Sequence, residues 1–168
     1  MTRQTKMGDS NLTLKGEELK AGDKLSFQAV DKDMNAFNLD EIKEDIKFIS
    51  VVPSLDTGVC SLQTQRFNEE AKKYEGKVRF ITLSKDLPFA ADRFSKENSI
   101  ENQTLVSDYN KGEFGEKSGF LINELNLLNR GIIILNKDNV VEYVAYNEQN
   151  TDPVDFDKAL EKLDELVK

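Results

Sequence analysis

Phe48-Ile49-Ser50-Val51-Val52-Pro53-Ser54-Leu55-Asp56-Thr57-Gly58-Val59-Cys60-Ser61-Leu62 is the stretch that decides how the chain is read. Phe48 to Val52 is apolar, rich in β-branched residues and too short for a helical period, so it predicts a buried strand. Pro53 ends that strand because proline has no N–H to give to a ladder. Ser54 to Gly58 is a polar turn with several side chains able to cap a helix. From Val59 the spacing changes: Val59, Leu62, Phe67, Ala71 and Tyr74 share one helical face, with Gln63, Arg66 and Glu70 beside it. Cys60, the only cysteine, therefore falls in the first turn of a helix that follows a buried strand. Unpaired N–H groups and the positive end of the macrodipole favour an anion there, and a thiolate is one.

Downstream, Gly76-Lys77 closes the helix with residues suited to its C-terminus, and Val78 to Leu83 predicts a second core strand. Pro88 opens another helix to about Ser99, and Thr104 to Ser107 is a brief strand. Asn110 to Ser118 reads as a glycine-bearing loop with a helical turn, and Glu124 to Asn129 leads into Gly131. Ile132 to Leu135 and Val140 to Tyr146 are strands joined by an Asn-Lys-Asp-Asn turn. Pro153 to Val167 is an amphipathic helix with Phe156, Ala159, Leu160, Leu163 and Val167 inward. Upstream, residues 12–20 predict a small hairpin about Gly16, followed by a short strand at Phe27 to Val30, a polar turn into Ala36 to Leu39 and a helical turn over Asp40 to Asp45. Residues 1–11 are expected to be a flexible segment ahead of a single domain, 12–168. Strands alternating with helices indicate an α/β fold, a mixed central sheet flanked by helices.

Composition removes whole classes of chemistry. A chain of 168 residues with 38% hydrophobic and 32% charged content can bury a core without disulfides or metal. A formal charge of −8 argues against nucleic acid as a partner. No apolar run is long enough for a membrane helix, and Met1 to Asn11 lacks a signal peptide's apolar centre, so a cytoplasmic protein is expected. Without histidine there is no Ser–His or Cys–His pair, and one cysteine makes no Cys-x-x-Cys pair, zinc cluster or internal disulfide. No metal or cofactor is expected.

Two motifs fail on inspection. Gly112 to Ser118 has the wrong glycine spacing for a phosphate loop, with Glu116 where lysine should follow glycine. Asp31 to Ile42 lacks both the glycine and the bidentate acid of a calcium loop. Cys60 has two readings: a small buried hydrophobe, or a reactive thiol favoured by its helix start. Thr57 reads first as an N-cap, and its oxygen can also face a substrate. Arg130, at the mouth of the Ile132 strand, is either solvated or ion-paired, or a fixed cation that stabilises a thiolate.

Pro53-Ser-Leu-Asp-Thr57-Gly-Val-Cys60 resembles the peroxiredoxin signature, a proline, threonine and cysteine at fixed spacing. Ser61 to Glu70, Asp86-Leu-Pro-Phe-Ala90, Arg93-Phe94, Ile100-Glu-Asn102, Ser107-Asp108, Phe114-Gly115 and Leu127-Leu-Asn-Arg130 resemble the thiol peroxidase branch of that family. So does an N-terminal hairpin before Gly22-Asp23. The resemblance implies a thioredoxin-like fold and a homodimer that reduces hydrogen peroxide and organic hydroperoxides, with thioredoxin or another thiol as reductant. It implies that Cys60 attacks the peroxide and becomes sulfenic acid. Thr57 and Arg130 would bind thiolate and peroxide, Pro53 would shield the sulfur, and N–H groups near Val59 and Cys60 would hold the peroxide oxygens. Where this branch normally carries its resolving cysteine, the chain has Ser95, which cannot form a disulfide. Either one cysteine works with an external thiol, or Ser95 replaces a cysteine of the natural chain. A peroxide sensor on the same fold, stopping after one oxidation, is the alternative.

Overall fold

The computed structural model describes residues 2–168. The chain opens with β1 (Arg3–Met7) and β2 (Ser10–Leu14), an antiparallel pair turning at Gly8, whose φ of +64° suits glycine. The hairpin thus precedes the position expected about Gly16, and the stretch 1–11, expected as a flexible segment, supplies β1 and the turn. The sequence hid this strand because its one buried residue is polar, Thr5.

There follow β3 (Gln28–Asp31), β4 (Ala36–Asn38), a 3₁₀ turn at Leu39–Glu41, β5 (Ile46–Val51) and α1 (Gly58–Ala71), which tightens into a 3₁₀ turn at Lys72–Tyr74. Next come β6 (Val78–Ser84), α2 (Pro88–Asn98), β7 (Thr104–Ser107), α3 (Glu113–Ser118), β8 (Leu121–Ile122) and β9 (Leu127–Leu128). The chain closes with β10 (Gly131–Leu135), β11 (Val141–Tyr146) and α4 (Phe156–Val167). The sequence pattern predicts neither β8 nor β9, since strands of two residues carry no alternation.

The main sheet has seven strands in the order β11-β10-β5-β6-β7-β3-β4, and a smaller sheet runs β1-β2-β8-β9. Parallel pairing joins β5, β6 and β7, and the remaining pairs are antiparallel, so the sheet is mixed as expected. Alternation along the central strands divides the core into two layers. Phe48, Phe80, Ile132 and Ile134 pack with Phe67 and Ala71 of α1 and Ala159 and Leu163 of α4. Ile49, Val51, Ile81, Leu83, Ile133 and Leu135 pack on the other side with Phe114 of α3, Phe120 and Leu128.

Helix α1 is rotated from the sequence expectation. Its buried residues are Cys60, Gln63, Thr64, Phe67, Asn68 and Ala71, spaced three and four apart, while Leu62 is 68% exposed. Apolarity placed Leu62 inward in the reading of the sequence. Here the polar residues win that face because each has partners inside. The Gln63 amide donates to Ser50 Oγ at 2.7 Å, Thr64 Oγ1 donates to the Cys60 carbonyl at 2.8 Å, and Asn68 Oδ1 accepts from the Asn102 N–H at 2.9 Å.

Candidate active site

Strand register brings the two halves of the site together. Gly131 of β10 pairs with Val51 of β5, so Arg130, one residue earlier, lies beside the end of β5. From that end the chain passes through Pro53 into the loop that starts α1. Arg130 also has the same parity as Ile132 and Ile134, which points it to the α1 side of the sheet. Gly131 keeps the strands close enough: a Cβ there would fall 2.2 Å from the Ala145 carbonyl oxygen and 2.5 Å from the Phe120 ring.

At the other half, Thr57 is the N-cap of α1, its Oγ1 accepting from the Cys60 N–H at 3.3 Å. Thr57 is exposed, Pro53 buried and Val59 half-buried. Val59 lies in the first turn, whose N–H groups have no carbonyl partner within the helix. The preceding loop is fixed by Asp86, whose carboxylate accepts from Ser54 Oγ at 2.8 Å and from the Leu55 N–H at 2.7 Å. Sequence reasoning assigned Asp86 no role, since a carboxylate after a strand has no local signature.

Cys60 is fully buried, packed with Val52, Leu55, Ala91, Phe94, Ile100 and Leu105. A helix start does not by itself imply such burial. One wall of this apolar cup is open to charge: Arg130 Nη2 donates to Cys60 Sγ at 3.0 Å. The same guanidinium donates through Nη1 to Gln63 Oε1 at 2.9 Å and through Nε to the Asn150 carbonyl at 2.9 Å. Arg130 is 2% exposed, and among the described residues no carboxylate stands within ion-pair distance of it. Guanidinium does not lose its proton in proteins, so a buried one needs an anion or full hydrogen bonding. The sulfur of Cys60 is the group beside it that can become an anion.

Ser95, on α2, is also buried, but its Oγ donates to the Ile100 carbonyl at 3.0 Å. Arg130 and Thr57 thus both bond Cys60, Pro53 and Val59 belong to the loop and first turn that carry it, and Ser95 lies on the helix that supplies Ala91 and Phe94 to the cysteine's apolar wall. Gln63 and Asn129 fall inside the segments that carry the resemblance but take no role from it, and Asn150, also in contact with Arg130, lies outside every motif of the sequence. The i, i+3 spacing from Cys60 is what could have raised Gln63. Among the described residues no group of three or more acidic or sulfur ligands is arranged to hold a metal.

A lone thiol at the start of a helix, backed by a buried guanidinium and carried on a mixed sheet with flanking helices, defines a protein whose chemistry is thiol chemistry. Residues 15–163 match the Redoxin family. The chain is 42% identical over 151 residues to the thiol peroxidase of Halalkalibacterium halodurans, covering 89% of this chain and 90% of that protein. It is 40% identical over 158 residues to the thiol peroxidase of Bacillus subtilis, covering 94% of each. The crystal structure of a peroxiredoxin-like protein from Aquifex aeolicus superposes with a TM-score of 0.91 at 36% identity, covering 98% of both chains. The chain belongs to the Redoxin family and, within it, to the thiol peroxidases of the peroxiredoxins, as an enzyme on the thioredoxin-like fold.

Proposed function

We propose that Cys60, as the thiolate, attacks the terminal oxygen of hydrogen peroxide or an organic hydroperoxide. The S–O bond forms as the O–O bond breaks. The sulfur loses two electrons and becomes sulfenic acid, and the leaving oxygen takes a proton from solvent to depart as water or alcohol. The observation that carries this reading is the buried guanidinium, lacking a carboxylate partner, with its Nη2 3.0 Å from Sγ. Preorganised donors at that place stabilise charge as it moves from sulfur to oxygen. Arg130 holds the thiolate and polarises the O–O bond. Thr57, at the exposed lip, hydrogen-bonds the entering peroxide, and the Val59 N–H helps hold it. Pro53, buried in the loop ahead of Cys60, shields the sulfur from bulk water.

The hydroxyl of Ser95 cannot condense with sulfenic acid, so the return to thiol falls to a separate thiol, thioredoxin or another. That thiol displaces water from the sulfenic acid to give a mixed disulfide, and a second thiol releases Cys60. The working unit on this reading is a cytoplasmic homodimer.

One equivalent of hydrogen peroxide is expected to add one oxygen to Cys60 within seconds, read by intact mass spectrometry. An unmodified thiol after that exposure overturns the proposal. Peroxide consumption with thioredoxin, glutathione or a small dithiol is expected to continue over many turnovers. Arrest after one oxidation with every thiol would make the chain a peroxide sensor, the alternative that Ser95 leaves open.

A further inference from the structure

We infer that Asn150, locked by Thr5 and Asn129, is a positioning residue for Arg130, which makes the N-terminal hairpin part of the peroxidatic site. The inference rests on the role of Arg130 proposed above. Asn150 brackets Arg130 at two points: its Oδ1 accepts from the Arg130 backbone N–H at 2.7 Å, and its carbonyl accepts from Arg130 Nε at 2.9 Å. A planar guanidinium fixed at Nε by Asn150 and at Nη1 by Gln63 has no rotation left, and its Nη2 must point where it does, at the sulfur.

Asn150 itself stands in the loop after β11, where a backbone has little reason to be rigid. A buried polar cluster supplies the rigidity. Its side-chain amide directs its two hydrogens among Asn129 Oδ1 at 2.7 Å, the Lys6 carbonyl at 2.9 Å and Thr5 Oγ1 at 3.1 Å. Its backbone N–H donates to the same Lys6 carbonyl at 2.8 Å. Thr5 Oγ1 donates to Asn129 Oδ1 at 2.7 Å, and the Asn129 amide donates to the Arg130 and Asn147 carbonyls, both at 3.0 Å. The partners fix both amide orientations, since only the nitrogen can donate to a carbonyl and only the oxygen can accept from an N–H.

Thr5, Asn129 and Asn150 are each at most 3% exposed. Three neutral polar side chains in such a place add less stability than well-packed apolar ones of the same size, but their bonds are directional. Three bonds of this network end on Arg130, at its backbone N–H, its carbonyl and its Nε. Thr5 and Lys6 belong to β1, so the hairpin grips the loop that grips the arginine.

The test is a pair of double-mutant cycles on the rate constant for Cys60 oxidation by hydrogen peroxide, with Asn150→Ala and Thr5→Val each made alone and with Arg130→Ala. In the wild-type background each is expected to slow oxidation about 10–100-fold, the scale set by misplacing a group that must meet the reacting atoms. In the Arg130→Ala background the same changes should alter the rate by less than about twofold, because nothing remains to be positioned. Thr5→Ser, which keeps the hydroxyl, should restore the rate lost in Thr5→Val. Equal slowing in both backgrounds overturns the proposal, since it marks a structural effect only. Wild-type rates in Asn150→Ala and Thr5→Val beside a slow Arg130→Ala overturn the positioning role and leave the reading of Arg130 standing. A fast Arg130→Ala overturns that reading, and this proposal with it. Should Asn150→Ala fail to fold by circular dichroism, the Thr5→Val cycle decides alone.

Discussion

The buried face of α1 has two halves of largely opposite chemistry. Toward its start lie Cys60, Gln63 and Thr64, and toward its end Phe67 and Ala71, followed by Tyr74, with Asn68 the one polar residue among them. In the first half each side chain is held by directional bonds, Gln63 reaching both Ser50 and Arg130. In the second half the Phe67 ring sits 4.8 Å from Phe48 and 5.2 Å from Phe156, and Phe48 lies 4.7 Å from Phe80. The two halves divide the work of the helix. Burial of aromatic area offsets much of the chain entropy of folding, and it fixes the axis of α1 on the sheet. With the axis fixed, the polar half can hold a cation and a thiol in register at the cost of their desolvation. Had both halves been apolar, the fold would be at least as stable and the sulfur would have no charge beside it.

Phe67→Ala is the most direct way to break this division. It should lower the unfolding free energy by about 3–5 kcal/mol, as loss of a fully buried ring does, read from urea denaturation. The oxidation rate of Cys60 in the folded protein should stay within about twofold of wild type, because the sites share no partner. A rate that falls with stability would mean that the two halves act as one unit. Arg130→Ala is the converse. Removing a preorganised donor at the reacting atom should slow oxidation about 10²–10³-fold, equivalent to about 2.7–4 kcal/mol. Its effect on stability should be smaller, about 1–3 kcal/mol from the acceptors left on Gln63 and Asn150. Wild-type oxidation in that variant would remove Arg130 from the chemistry.

The same division explains what could be read from the residues alone. The strand Ile46–Val51, the cap at Thr57 and the helix carrying Cys60 were legible because each rests on local signals: β-branched runs, a proline stop, a capping hydroxyl. The aromatic half of α1 was legible for the same reason, Phe67 and Ala71 falling on the apolar period. The polar half was not. Leu62 looked inward and Gln63 lay only near the face, since hydropathy ranks a glutamine below a leucine wherever its partners are unseen. Those partners, Ser50 and Arg130, are 13 and 67 residues away. Thr5 misled in the same way: a threonine among Arg3, Gln4 and Lys6 gives no apolar alternation, so the strand was read as a loose end. Local periodicity finds elements whose burial is apolar and misses those whose burial is offset by distant hydrogen bonds.

The smallest expected effect sharpens the comparison through pH. Tyr74, at the apolar end, is held neutral: burial raises its phenol above the ordinary value of 10.0, and the hydrogen bond its hydroxyl donates to Asp164 raises it further. The unfolded phenol ionises near 10 while the folded one resists, so the unfolded state loses its proton first as pH rises. Tyr74 therefore contributes stability that is fully present below pH 10 and is lost as the pH climbs above it. Between pH 9 and 11 the melting temperature of the wild type should fall about 2–4 °C more than that of Tyr74→Phe, which has no proton to lose. The same substitution should leave the oxidation rate of Cys60 at neutral pH within about twofold of wild type. A larger change would mean that Tyr74 reaches the sulfur through α1, and the two halves of the helix would not be independent.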